Sequence, residues 1–195
     1  DGTYDFTENY RAIKERVQSA DIAVINQETV VNDYAPAEHY PTFSTPLEML
    51  SALIDAGFDV ANLATNHMMD KGKAALMNSV RHWQSSLIVT SGAFLGPEDR
   101  ETVRLVERNG ISFSFIGVTF GTNGIPVPES DDLLINLMSD EESMQKQIAT
   151  AKEKSDFVIV MAHWGTEYSD QEDAGQVAYA QKLADWGADL IVGHH

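Results

Sequence analysis

A chain of 195 residues, 43% hydrophobic and 22% charged, is long enough for one domain with a full-sized core. No apolar run approaches the ~20 residues of a membrane span, and no stretch resembles a signal peptide. The net charge of −17 argues against nucleic acid or an anionic membrane as partner. It suits cations, or it keeps an exposed domain soluble. With no cysteine in the chain, a disulfide framework and thiolate ligation are both excluded.

In chain order, residues 5–19 predict an amphipathic helix, with Asp5 as cap, Glu8 three positions later, and Phe6, Tyr10, Ile13 and Val17 at helical spacing. Asp21 to Ile25 predicts a buried strand that runs into Asn26-Gln27-Glu28-Thr29. Alternation points Asn26 and Glu28 to one face. The Glu28 carboxylate at that place is either a metal ligand or a cap and loop partner. Val30 to Thr45 reads as a long loop, a length that suggests function. Thr45-Pro46-Leu47-Glu48 then predicts a capped helix start, and Gly57 its end.

A strand reaching Ala64 leads into Asn66-His67, and a helix follows over roughly Asp70 to Gln84, with His82 as a surface or packing residue. Leu87 to Ser91 is a strand, and Gly92 to Asp99 a turn-rich connection. Asn109-Gly110 joins two strands, Thr102 to Glu107 and Ser112 to Val118, in the strongest hairpin signal of the chain. After the Gly121 to Pro128 loop, with Asn123 among its polar residues, Leu133 to Leu137 predicts an edge strand. Ser139 and Glu142 predict a capping box for a helix to Lys154. Phe157 to Ala162 is apolar throughout, as in a strand buried on both faces, and ends at His163. A helix over Gln171 to Trp186 and a strand over Asp189 to Val192 lead to His194-His195. The fold class is therefore α/β in a single domain, residues 1–195, mostly parallel with an antiparallel part.

Four strand ends thus carry Asn26/Glu28, Asn66/His67, His163 and His194/His195. In a largely parallel sheet these ends converge on one edge, where open α/β sheets place their ligands. Such an N/O set without sulfur suits zinc, manganese or iron, as one ion or as a pair able to activate water and stabilise a leaving oxygen at phosphorus.

The stretches 20–29, 57–72, 163–168 and 187–195 resemble the CapA-type capsule and poly-gamma-glutamate synthesis proteins, and 115–126 resembles their Gram-positive members. That family is similar in fold to the calcineurin-like metallophosphoesterases, which implies a two-layer β-sandwich flanked by helices (α/β/β/α). The resemblance implies metal ligation by Asn66, His163 and His194, with Glu28 near the place of a bridging Asp. It implies that His67 lies at the substrate phosphate. Asn26, His195 and Asn123 are then candidate substrate-binding residues. It also implies a Gly-Asp-bearing strand before Asp1 and a Pro-His after His195, so the domain is expected to be truncated at both ends. Two functions follow as expectations. One is a divalent-metal-dependent hydrolase of a phosphoester or polymer linkage. The other is a non-catalytic module with a vestigial metal site that binds an anionic polymer or partner proteins. Either would work at the cell surface with capsule-synthesis membrane proteins, anchored through a segment outside residues 1–195. The strand-end loops offer only Lys71 and Lys73 as cations for a phosphate.

Overall fold

The computed structural model describes residues 3–127 and 134–195. Among these, the strands form two sheets. The first holds β1 (Val24–Asn26), β2 (Val60–Asn62) and β3 (Val89–Ser91), parallel and in that order. The second runs β4 (Leu105–Arg108), β5 (Ile111–Thr119), β6 (Phe157–His163) and β7 (Leu190–His194). Only the β4–β5 hairpin is antiparallel. Its turn residues Asn109 and Gly110 both have positive φ, 55° and 78°, as a two-residue primed turn demands.

The helices are α1 (Thr7–Tyr10), α2 (Lys14–Gln18), α3 (Glu48–Ala56), α4 (Gly72–Gln84), α5 (Pro97–Glu101), α6 (Glu141–Lys154) and α7 (Ala174–Trp186). Leu53 of α3 and Leu76, Val80 and Trp83 of α4 bury against Ala61 and its neighbours on the outer face of the first sheet. Met144 and Ile148 of α6 and Leu183 of α7 cover Val118, Val158 and Val160 on the outer face of the second. Between the sheets lie Val60, Phe115, Ile159 and Met161. The architecture is the expected helix–sheet–sheet–helix sandwich.

Strand alternation then decides what the inner faces carry at their carboxyl ends. Val60 faces inward, so Asn62 does too; Ile159 and Met161 face inward, so His163 follows them. Register pairs Asn26 with Asn62 and His163 with His194. The strands ending at Asn26, Ala64, Ala162 and Val192 are therefore not four neighbours in one sheet. They are two adjacent pairs, one in each sheet, and their ends meet across the sandwich.

Several local expectations are corrected. The helix over 5–19 is broken into α1 and α2, neither of which buries a residue, so packing does not hold one continuous helix. Asp5 accepts from the Thr7 backbone N–H and hydroxyl, but Phe6 is the cap residue. Thr45 does not cap α3, whose first helical residue is Glu48. Its hydroxyl is hydrogen-bonded to that of Thr29 at 2.6 Å, and its backbone bridges to Val31. Helix α6 is capped by Asp140, which accepts from Ser143 N–H, and not by Ser139. Ile135 and Leu137 form isolated bridges to Ala93 and Thr119 instead of a strand, and Leu133 lies outside the described residues. The 92–99 connection holds the start of α5, which has Pro97 in its first turn. His82 is a surface residue hydrogen-bonded to Asp33 at 3.1 Å.

Candidate metal and acid–base site

His163 is fully buried at the end of β6. Its Nε2 lies 2.9 Å from Asn66 Oδ1, and its Nδ1 lies 3.1 Å from His194 Nδ1. The amide oxygen can only accept, so His163 Nε2 carries the hydrogen. His163 Nδ1 is then an acceptor, and His194 Nδ1–H must donate to it. His194 Nε2, left with its lone pair, lies 3.5 Å from the Asn62 amide nitrogen. The same nitrogen donates to Asn26 Oδ1 at 2.9 Å. Its second hydrogen goes to Ala64 O at 3.0 Å, so the two sheets are joined by an ordered line of polar contacts in which the His194–Asn62 step is the longest.

This arrangement requires uncharged rings. Burial, followed by the charges of His194, His195 and His67, holds the His163 imidazole down at about 3. Burial and then His195 lower His194 to about 4. Both rings are neutral at pH 7, the state in which imidazole binds a metal ion.

His67 belongs to a second arm of the site. Asn66 Nδ2 donates to Asn123 Oδ1 at 3.2 Å, and Asn123, in the left-handed region at φ 53°, sets its own Nδ2 3.4 Å from His67 Nδ1. The closer partner of His67 Nδ1 is Asp70 Oδ2 at 2.7 Å, so the ring donates there, and Nε2 has no hydrogen-bond partner among the described residues. The Asp70 side chain is 1% exposed. Its Oδ2 also accepts from Phe43 N–H at 2.7 Å, which ties the 30–45 loop to the site. The Phe43 ring meets His67 edge-on, with centroids 4.7 Å apart.

The remaining candidates are placed less centrally. Glu28 is half-buried, with Oε2 3.5 Å from Asn26 Nδ2, and makes no hydrogen bond to an imidazole among the described residues. His195 lies against the cluster, 4.8 Å from the His163 ring, with Nδ1 donating to Gly165 O at 3.0 Å. Phe120 stacks on His163 at 6.2 Å. Lys71 is engaged by Glu38 at 2.6 Å and by Thr42. Asp70, Asn62, Phe43 and Phe120 were not singled out from the sequence. Asn62 is accessible to the alternation argument that pairs Asn26 with Glu28. Asp70, three residues after His67, reads in sequence as a helix start.

The donor set fits a borderline divalent ion in chemistry: two neutral imidazoles, an amide oxygen, and a carboxylate two residues beyond Asn26. Ligands ~2.1 Å from one ion and at right angles to each other stand roughly 3 Å apart, the spacing of His163 Nε2 from Asn66 Oδ1. As placed, the donors hydrogen-bond to one another. Among the described residues no group of three His, Cys, Asp or Glu side chains is arranged to hold an ion. Moving the His163 hydrogen from Nε2 to Nδ1, with His194 Nδ1 becoming the acceptor, would turn two lone pairs toward each other at the Asn66–His163 contact.

Comparison with known proteins agrees with this architecture. A candidate 5'-nucleotidase of Staphylococcus aureus superposes with a TM-score of 0.57 at 14% identity, covering 96% of this chain and 39% of that one. The sulfate thiohydrolase SoxB of Thermus thermophilus gives 0.55 at 15% identity, covering 96% and 33%. At such identities these likenesses show the fold. The capsule biosynthesis protein CapA of Bacillus anthracis is 31% identical over 169 residues, which is 84% of this chain and 40% of that protein. The PGA biosynthesis protein CapA of Bacillus subtilis is 28% identical over 171 residues, 87% of this chain and 45% of that protein. The chain therefore spans less than half the length of these two curated relatives. The family model described as bacterial capsule synthesis protein PGA_cap matches residues 1–195 throughout, and the chain belongs to that family.

Proposed function

We propose that this chain is a metal-dependent hydrolase module of capsule synthesis, acting at the cell surface on a phosphoester or on a linkage of the anionic capsule polymer. The observation that carries the reading is His163. A histidine buried only for packing needs any partner that satisfies its two nitrogens; here both partners, Asn66 and His194, are themselves donors of the metal-ligating kind. Asn66, His163 and His194 would hold the divalent ion, manganese, zinc or iron, with Glu28, which meets Asn26, as the carboxylate to complete the set or bridge to a second ion. When bound, such an ion supplies a Lewis acid and a water activated at neutral pH.

The chain's own residues supply the proton chemistry and the positioning. Asp70 holds His67 by Nδ1–H, so Nε2 of the neutral ring can take a proton from a water or substrate hydroxyl, and the imidazolium so formed, balanced by the Asp70 carboxylate, can return it to a leaving oxygen. Asn123 joins this arm to Asn66, and Asn26 and His195 border the cluster as substrate-binding groups. Its partners would be other capsule-synthesis membrane proteins, and the charge of −17 weighs against nucleic acid.

One observation favours the second reading, a polymer- or partner-binding module with a vestigial metal site. Lys71, two residues after Met69, is held by Glu38 and Thr42 and is not presented to a phosphate. The two readings separate in a hydrolysis assay. The intact protein, loaded in turn with Mn²⁺, Zn²⁺ and Fe²⁺, is assayed on p-nitrophenyl phosphate, bis-p-nitrophenyl phosphate and poly-gamma-glutamate. Turnover with at least one ion is expected. A metal-loaded protein that binds polymer and hydrolyses none of the three substrates would establish the binding module instead.

A further inference from the structure

Beside β3 and β5, between α5 and α6, lies a cavity of about 520 Å³ that shares no lining residue with the strand-end cluster. Its volume is that of a small-molecule site, which typically spans ~300–1,000 Å³. Phe94, Val103, Phe115 and Ile116 provide apolar lining. The charged lining runs against the rest of the chain. Arg100, Arg104, Lys146 and Lys154 face Glu101, Asp140 and Glu142, a small positive excess in a protein of net charge −17.

The unused hydrogen-bonding capacity on these basic groups is all of one kind. Arg100 is 8% exposed; its Nε donates to Asn136 Oδ1 at 2.9 Å and its Nη2 to Asp140 at 2.8 Å. No partner engages its Nη1 among the described residues. Arg104 gives Nε to Thr90 O and Nη2 to Asp99, and its Nη1 is likewise unengaged. Lys154 has no ion pair among the described residues. Of the acidic groups, Asp140 is taken by Arg100 and Ser143 N–H, and Glu101 by Lys146. The Arg104 guanidinium lies 6.0 Å from the centre of the buried Phe94 ring, which backs it. Two arginines held in place by fixed partners, each with an N–H edge to spare, suit a planar carboxylate better than a lysine pair would.

We infer that this cavity binds a small amphipathic organic anion, a carboxylate carried on an aromatic or branched aliphatic body. The carboxylate meets Arg100 and Arg104, and the body lies along the apolar lining at Val103. This site is independent of the strand-end cluster and of any hydrolysis there.

The test is a titration of the intact protein with 3-phenylpropionate, followed by calorimetry or ligand-observed NMR. The neutral analogue 3-phenylpropan-1-ol and acetate serve as controls. Saturable binding of the carboxylate is expected, weaker by about tenfold or more for the alcohol and for acetate. Thr150→Trp, which fills the cavity from half-buried α6, should abolish binding in protein that melts normally. Arg104→Gln should weaken it about tenfold, and its readout stands even if the tryptophan variant fails to fold. His163→Ala should leave the affinity unchanged. Equal affinity for acid and alcohol, binding unweakened by Arg104→Gln, binding retained in a folded Thr150→Trp, or no saturable binding to wild type would each overturn the proposal.

Discussion

His67→Ala is expected to lower turnover by ~10²–10⁴-fold, the usual worth of one acid–base group, while bound divalent ion stays at the wild-type level. The reason is positional. His67 Nδ1–H is committed to Asp70 at 2.7 Å, and no hydrogen bond links its ring to His163 or His194 among the described residues. Its contact with the His163 arm runs through Asn123 and Asn66. Asp70→Asn should lower turnover by less, because the amide oxygen can still accept from Nδ1 without the stabilising charge. The same Oδ2 accepts from Phe43 N–H, so Asp70→Asn should keep the 30–45 loop anchored, whereas Asp70→Ala, which removes both bonds, should loosen it, read as faster proteolysis there. Parallel loss of metal and turnover in His67→Ala would show that His67 is a ligand and would remove the role assigned to it.

Gly117→Val is expected to be the most damaging single change to the fold. Gly117 lies on the inner face of β5, close against the ends of β2 and β3. A Cβ there would stand 2.1 Å from Asn62 Oδ1, 2.9 Å from Ser91 O and 3.1 Å from Gly92 Cα. Two of these three atoms are backbone and cannot rotate away. Overpacking a well-filled core costs ~1–3 kcal/mol and occasionally more, so a branched residue here should reach about 3 kcal/mol. For a domain of this size that corresponds to a melting temperature lower by roughly 6–12 °C. The displaced Asn62 holds Asn26, Ala64 and the edge of His194, so the cluster should loosen with the fold. A melting temperature unchanged from wild type would mean that the two sheets are not in contact at this point.

The strands and their polar ends were legible because apolar runs broken by Asn, His and Gly leave few alternatives. Phe157 to Ala162 followed by His163 is the clearest case, and Asn109-Gly110 likewise specified its hairpin. The division into two sheets was not legible from alternation or hydrophobicity. A strand buried between a helix and a sheet has the same apolar pattern as one between two helix layers, and the sandwich came from the family resemblance alone. Helix starts were the least secure. Thr45 has the chemistry of a cap, but its backbone is drawn into a bridge with Val31, and its hydroxyl goes to Thr29. Asp140 and Asp173 took the capping roles in α6 and α7 because their oxygens reach the third backbone N–H. Asp70 was hidden because a residue three positions after a histidine has no distinctive pattern until the loop is folded.

The most direct test of the central claim, that buried His163 and half-buried His194 with Asn66 form a divalent-ion site, is metal content. The intact protein is equilibrated with Mn²⁺ or Zn²⁺, freed of excess ion, and analysed for elements alongside His163→Ala, with folding checked by circular dichroism. The account predicts a stoichiometric ion in wild type and its loss in a still-folded His163→Ala. Folded wild type that retains no ion, or a His163→Ala protein that retains as much as wild type, would contradict it.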